Sequence, residues 1–255
     1  MIFFSKKITD ISYYHTWAAY LEIKLKYRRS IIGPWWITIS SIIIILALSV
    51  TFSALFNVSS KEIILWITIS FIMWNYIQML INDSTTLFEN SPLGSAKIEP
   101  LDLIIINVIK NIILLAQNSL LFVIVAVFFK LEISLISLFS LIGVILISVS
   151  SIGIQIIFSI ACLRYRDLSH IIQNLLFLVF IVTPIFWRPE FLEGRKLFII
   201  DFNILYHYME TVRSPILENK INYNSTIISI LSTFIFMILG YHIYKKTKNK
   251  IVYWK

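Results

Sequence analysis

The sequence predicts an all-α integral membrane protein: six transmembrane helices preceded by an amphipathic helix at the inner interface, in a single transmembrane domain over residues 1–255. Three observations lead there. Of the 255 residues, 58% are hydrophobic and 14% charged, whereas soluble domains carry about 25% charged residues. The apolar residues run in blocks of about 20, the length a helix needs to cross a hydrocarbon core. Lys and Arg collect on alternate sides of those blocks, as the positive-inside rule requires.

Charge-free apolar windows place the spans at about 36–56, 63–82, 103–129, 135–161, 170–187 and 224–244. With the N-terminus inside, fourteen of the 22 Lys and Arg fall in inner segments and seven in outer ones, while Lys110 lies within a span. Both termini are therefore expected in the cytoplasm, and the protein in the cell inner membrane as a multi-pass chain. No early apolar core leads to a small-residue cleavage site, so a removable signal peptide is not expected. The net charge of +8 belongs to this topology, since the basic residues flank spans instead of tracking one soluble face. No nucleic-acid partner is expected.

Composition also narrows the chemistry. Cys162 stands alone, and His15, His170, His207 and His242 show no metal-ligand spacing, so neither a disulfide scaffold nor a metal site is expected. None of the six glycines belongs to a phosphate-cradling loop of the G-x-x-x-x-G-K-[ST] type, so ATP and Mg would have to be bound by another chain. The fourteen acids form no DxD-type cluster, which leaves a membrane glycosyltransferase without its chemistry. An ion-coupled carrier needs ionisable groups at mid-bilayer, and only Lys110 comes near that. The chain is expected not to be an enzyme.

In chain order, residues 11–32 form the interfacial helix. Tyr13, Tyr14, Trp17, Tyr20, Leu21, Ile23 and Leu25 alternate there with Glu22, Lys24, Lys26, Arg28 and Arg29, and an aromatic side facing lipid with a basic side facing water is expected. One reading is a plain anchor. The sharper one is contact with an anionic lipid-linked substrate, because guanidinium groups pair bidentately with phosphate oxygens. Tyr27, Arg28 and Arg29, with Trp35 and Trp36 at the inner edge of the first span, are the residues at that interface. Gly33-Pro34 breaks the helix and turns the chain into the membrane. Trp66 and Trp187 are expected as outer interface anchors and Trp74 as mid-span packing.

The loop 83–102 carries Pro92, Gly94 and Pro100 and reads as a cytoplasmic turn. The third span bears a polar stripe of Asn107, Lys110, Asn111, Gln117 and Asn118, close to one face at 100° per residue. Such a stripe bonds to neighbouring helices or lines a hydrated path. Arg164, Arg166 and Asp167 in the fourth inner segment act as a topogenic stop with an internal ion pair. The outer loop 188–223 is too long for a plain connector. Within it Glu210 and Arg213 stand three apart, a spacing worth a few tenths of a kcal/mol on a helix surface.

Four ordered strings carry a family resemblance over residues 20 to about 245. These are Tyr27-Arg28-Arg29-Ser30-Ile31-Ile32-Gly33-Pro34-Trp35-Trp36 before the first span, Lys110-Asn111 followed by Gln117-Asn118, Arg164-Tyr165-Arg166-Asp167 closing the fourth, and Asn203 through Pro215 in the outer loop. Together they resemble the membrane-spanning subunits of bacterial polysaccharide ABC exporters, in particular the lipopolysaccharide O-antigen branch. The chain departs from the family at Gln117, where His is frequent, and at Ile204, where Pro is usual. The resemblance implies a transport subunit in which two copies form one channel for a lipid-linked polysaccharide entering from the inner leaflet. It implies a coupling helix in the 83–102 loop, with Lys97, Glu99, Pro100 and Asp102 meeting a separate ATPase subunit, itself in two copies. It further implies short re-entrant helices in the outer loop that gate the pore, with Tyr206, His207, Glu210, Arg213 and Pro215 at that gate. Export of capsular polysaccharide or teichoic acid by the same architecture is the alternative.

Overall fold

The computed structural model describes residues 2–56, 58–89, 99–191 and 198–254, and among these there is no strand. Ten helices follow in order: α1 (Ile2–Lys26), α2 (Trp35–Phe56), α3 (Ser60–Thr86), α4 (Pro100–Phe128), α5 (Ser140–Arg164), α6 (Leu168–Val182), α7 (Phe198–Asp201), α8 (Ile204–Leu217), α9 (Tyr223–Thr247) and α10 (Ile251–Trp254). Five stretches are long and apolar enough to cross a membrane: α2, α3, α4, Leu135–Arg164 and α9. They match five of the expected spans, so the chain is a multi-pass membrane protein.

The remaining expected span, 170–187, departs from expectation. Helix α6 has 15 residues, about 22 Å at 1.5 Å per residue, and so falls short of a hydrocarbon core of about 30 Å. It stops because Pro184 forces the residue before it out of helical geometry; Thr183 sits at φ −76° and ψ 133°. Thr183, Pro184 and Ile185 continue as a buried non-helical segment. Irregular backbone is tolerated at membrane depth only where protein covers it.

Local chemistry sets several helix ends. Ser59, Asn203 and Asn222 accept the backbone N–H three residues on, at 3.4, 3.1 and 3.1 Å, opening α3, α8 and α9. Helix α4 opens with Pro100 at its first position and a reciprocal capping box between Glu99 and Asp102. Helix α1 ends at Lys26, earlier than the expected 32, and residues 27–34 turn toward α2. The turn needs Gly33, whose φ of +64° is the left-handed region; its N–H donates to Ser30 Oγ at 2.9 Å.

Helix α3 is the hub. It packs against α2, α4, α5, α6 and α8, and side chains all round it are buried. Trp74 packs on Phe180 with centroids 5.3 Å apart, as expected of a mid-span aromatic. Helices α5 and α9 meet at two glycines: a Cβ on Gly240 would lie 2.8 Å from the Gly153 Cα. Helix α8, with residues 207–215 buried, wedges between α3, α5 and α9.

Candidate functional site

Helix α1 docks on α4 through a polar seam. Among its described side chains, His15, Ala19 and Ile23 are buried. His15 Nε2 lies 2.9 Å from Asp102 Oδ1. Two turns on, Glu22 Oε2 accepts from Lys110 Nζ at 3.2 Å. Lys110, only 7% exposed, also meets Asp83 Oδ2 of α3 at 3.0 Å, and Lys26 reaches the other oxygen of Asp83 at 4.0 Å. The stripe continues behind this cluster. Asn111 Nδ2 donates to Asp83 at 3.2 Å and to Asn107 Oδ1 at 3.1 Å, and Asn107 Nδ2 donates to Gln155 of α5 at 2.8 Å. Four elements are thus joined by one hydrogen-bonded network, in which Asn107, Lys110 and Asn111 act between helices. Asn118 is buried and Gln117 half-buried, with Asn118 Oδ1 and Gln117 Nε2 lacking partners in the structure.

This seam corrects the expected split of α1 into an aromatic side and a basic side. The half-buried Asp102 and the buried Lys110 draw His15 and Glu22 to the protein face, because a buried charge without a partner is costly. Tyr13, Trp17 and Tyr20 then share the outward surface with Lys24 and Arg28. Between that surface and the start of α2 lies an open groove of about 380 Å³ lined by Tyr20, Ile23, Lys24, Tyr27, Arg28, Gly33 and Pro34. Burial, then the Asp83 carboxylate, push the Tyr27 phenol above its ordinary value, with Lys110 pulling the other way. The phenol is therefore a hydrogen-bond donor at any physiological pH. Among the described residues, no ion pair engages Lys24, Arg28 or Arg29. Trp35 and Trp36 are half exposed beside this mouth.

Glu99 caps and Pro100 opens α4, and Lys97 lies outside the described residues. The Asp102 carboxylate is held on both oxygens, by His15 and by the Glu99 N–H at 3.2 Å. The inner loop pairs outward rather than internally. Arg166 meets Glu89, in the turn after α3, at 3.9 Å, and Arg164 lies over the rings of Tyr165 and Trp254 at 5.4 and 5.0 Å. Asp167 precedes α6 without a side-chain cap.

A second cluster lies where α8 meets α3 and the end of α6. Arg213 is 1% exposed. Its Nε donates to Glu210 Oε2 at 3.1 Å, Nη2 meets the same oxygen, and Nη1 donates to Ser70 Oγ at 3.0 Å and to the Pro184 carbonyl at 2.9 Å. Its guanidinium lies 3.6 Å from the Trp66 ring centroid, with the Tyr206 ring at 5.6 Å. The pair is thus no surface pair. It bridges α8, α3 and the broken end of α6, and supplies the donor that a non-helical carbonyl needs at depth. Trp66, expected as an interface anchor, is instead 4% exposed beneath that cation. His207 fits between Ser225 Oγ at 3.1 Å and the Asp201 carbonyl at 2.9 Å, and Ser137 Oγ donates to the Pro215 carbonyl at 3.2 Å.

The sequence singles out Lys110 and Arg213 and gives Glu22 and Trp66 other roles, whereas their partners Asp83 and Ser70 carry no mark in it. A signal was present for the seam of α1 on α4: His15 and Glu22 recur two turns apart, as do Asp102 and Lys110.

The family model described as ABC-2 type transporter matches residues 16–217, from the second half of α1 to the end of α8. The chain belongs to the ABC-2 type transporter family. Two relatives in Klebsiella pneumoniae, both named O-antigen export system permease protein RfbA, are 31% and 28% identical over 98 residues, 38% of this chain and 38% of each relative. The match thus spans about two-fifths of the length of these relatives. In this ABC-2 type transporter the matched region takes in the inner network, the mouth beside α1 and the Arg213 cluster, while α9 and α10 lie beyond it.

Proposed function

We propose that this chain is the channel-forming subunit of an ATP-driven exporter of lipid-linked O-antigen polysaccharide. Two copies form the pore, and each docks a separate ATP-binding-cassette ATPase subunit that binds ATP and Mg. The observation that carries the reading is the mouth at the α1–α2 bend: free cations and a phenol donor at the level where a lipid-linked substrate presents its phosphates. The two relatives named as O-antigen export permeases support the same substrate class.

The membrane pair rests on exposed surfaces. Helix α2 exposes Ile43, Ile44, Leu46 and Val50, while α6 exposes Phe177 and Leu178 together with the polar Gln173 and Asn174. Amides facing lipid are unfavourable, whereas a second copy or a hydrated pore satisfies them. Residues Lys97, Glu99 and Pro100 meet the ATPase, and Asp102 braces the contact through His15. Helix α8 with Tyr206, His207, Glu210, Arg213 and Pro215 forms the re-entrant outer gate, and α6 with its 183–187 extension completes the sixth span. Membrane lipids surround the remainder.

The test is fractionation of a strain lacking this chain, beside a rescued strain. Full-length lipid-linked O-antigen trapped on the inner side supports the reading. A trapped capsular or teichoic polymer would reassign the substrate, and normal surface glycan would overturn polysaccharide export.

A further inference from the structure

We infer that Lys110 is a positioning residue for phosphate at the α1–α2 mouth, acting by sequestering the carboxylates of Glu22 and Asp83 so that Lys24, Arg28 and Arg29 stay free for a diphosphate-bearing ligand. The inference rests on the mouth reading above and adds a buried residue that makes no contact with the ligand.

The charges decide it. Glu22, Asp83, Lys26 and Lys110 form a cluster of two acids and two bases, with contacts at 3.2, 3.0 and 4.0 Å. The cluster is neutral, and among the described residues no ion pair engages Lys24 and Arg28, which line the mouth, or Arg29 next to them in the chain. Glu22 and Lys26 are four apart on α1, the arrangement in which an isolated helix pairs Glu with Lys; here Glu22 turns to Lys110 instead. Without the Lys110 charge the cluster becomes net negative, and its carboxylates are free to turn to the cations of α1. The cluster acts at the mouth, because the Tyr27 phenol that lines the groove feels both the Asp83 and the Lys110 charge.

A tether role for Lys110 makes different predictions. If the residue only fastens α1 to α4, removing either partner of the Glu22–Lys110 pair weakens everything the mouth does. Under charge sequestration, Glu22→Gln makes the cluster net positive and strengthens anion binding.

The experiment measures binding of a short alkyl diphosphate, with inorganic pyrophosphate in parallel, to the full chain in phosphatidylcholine nanodiscs. Lys110→Gln is expected to weaken alkyl diphosphate binding about tenfold, the worth of one modest charge pairing. Glu22→Gln is expected to tighten it about threefold, and Glu22→Gln/Lys110→Gln to return it to within about threefold of the unaltered chain. Lys110→Arg should bind as the unaltered chain does. Equal binding by pyrophosphate and alkyl diphosphate identifies phosphate alone as the determinant, and preference for the alkyl form identifies a lipid headgroup; each agrees with the inference. Weaker binding by Glu22→Gln, or no recovery in the double variant, would overturn it and leave the mouth reading intact. If the unaltered chain binds no better than Lys24→Ala/Arg28→Ala, the mouth reading itself falls, and this inference with it. Should Lys110→Gln fail to assemble, Glu22→Gln alone still separates the two roles, because they predict opposite signs.

Discussion

Arg213 shows how much one side chain carries when a helix is broken inside a membrane protein. Pro184 ends α6 early, and the freed Pro184 carbonyl takes a hydrogen bond from a guanidinium already paired with Glu210 and stacked on Trp66. Arg213→Met would leave Glu210 buried without a counter-charge, and a cost of about 3–5 kcal/mol is expected, read as a lower midpoint of thermal denaturation in detergent. Glu210→Gln/Arg213→Met should recover part of it, because no buried charge then remains. Arg213→Lys should fall between, since an ammonium does not reproduce the planar fork. Only the spacing of Glu210 and Arg213 is legible in the sequence. Their burial is not, because Trp66 and Ser70 lie more than 140 positions away in the chain from Arg213.

Two contacts between elements rest on close approach or charge rather than greasy area. Helices α5 and α9 cross at Gly153 and Gly240, where a Cβ on Gly240 meets backbone atoms at 2.8 and 2.9 Å. Gly240→Ala must push the helices apart, at a cost of about 1–3 kcal/mol for overpacking, again visible in thermal denaturation. Gly33 is the opposite case: a Cβ there meets nothing within 4 Å, and only its φ of +64° resists substitution. Gly33→Asn should therefore be milder than Gly33→Val, as asparagine tolerates the left-handed region. The second contact is the seam of α1 on α4. His15→Ala should loosen it, so that a cysteine at position 19 in that variant reacts faster with a membrane-impermeant maleimide. Cys162 is buried and adds little background. The stripe on α4 was readable from its period, but the α1 face that answers it carries so mixed a pattern that aromatic, cationic and acidic residues alternate with no clear apolar side.

Across the whole molecule, burial runs against the intuition of soluble proteins. Helix α3, the least hydrophobic of the five long apolar stretches, is the most buried, while the greasier α2 is mostly exposed. Lipid is as apolar as leucine, so hydrophobicity does not choose the centre of a bundle; packing and interhelical hydrogen bonds do. Polar residues on α3 serve this role: Tyr76 bonds Ser148 at 2.7 Å, Asn75 donates to Ser41 at 3.0 Å, and the Ser84 carbonyl accepts from Ser159 at 2.8 Å. The exposed faces of α2 and α6 are where the proposed second copy would pack. Leu178→Cys should form disulfide-linked pairs in native membranes under mild oxidation, whereas Leu135→Cys, more exposed but away from both faces, should not.

Length, apolar blocks and the distribution of Lys and Arg were enough by themselves to determine a multi-pass helical protein and the position of five long helices. Each of those is a property of a segment against its solvent, needing no neighbour. The four ordered strings likewise pointed to the transporter family. Only the tertiary structure decided which helix stands at the centre, that α6 ends at Thr183, that Glu210 and Arg213 are buried, and that Lys110 is shared by Glu22 and Asp83. The burial of Arg213 and the sharing of Lys110 depend on partners as far as 143 and 88 positions away in the chain. A buried polar group in a membrane protein is stable only once such a partner is found, and hydropathy along the chain carries no record of where that partner lies.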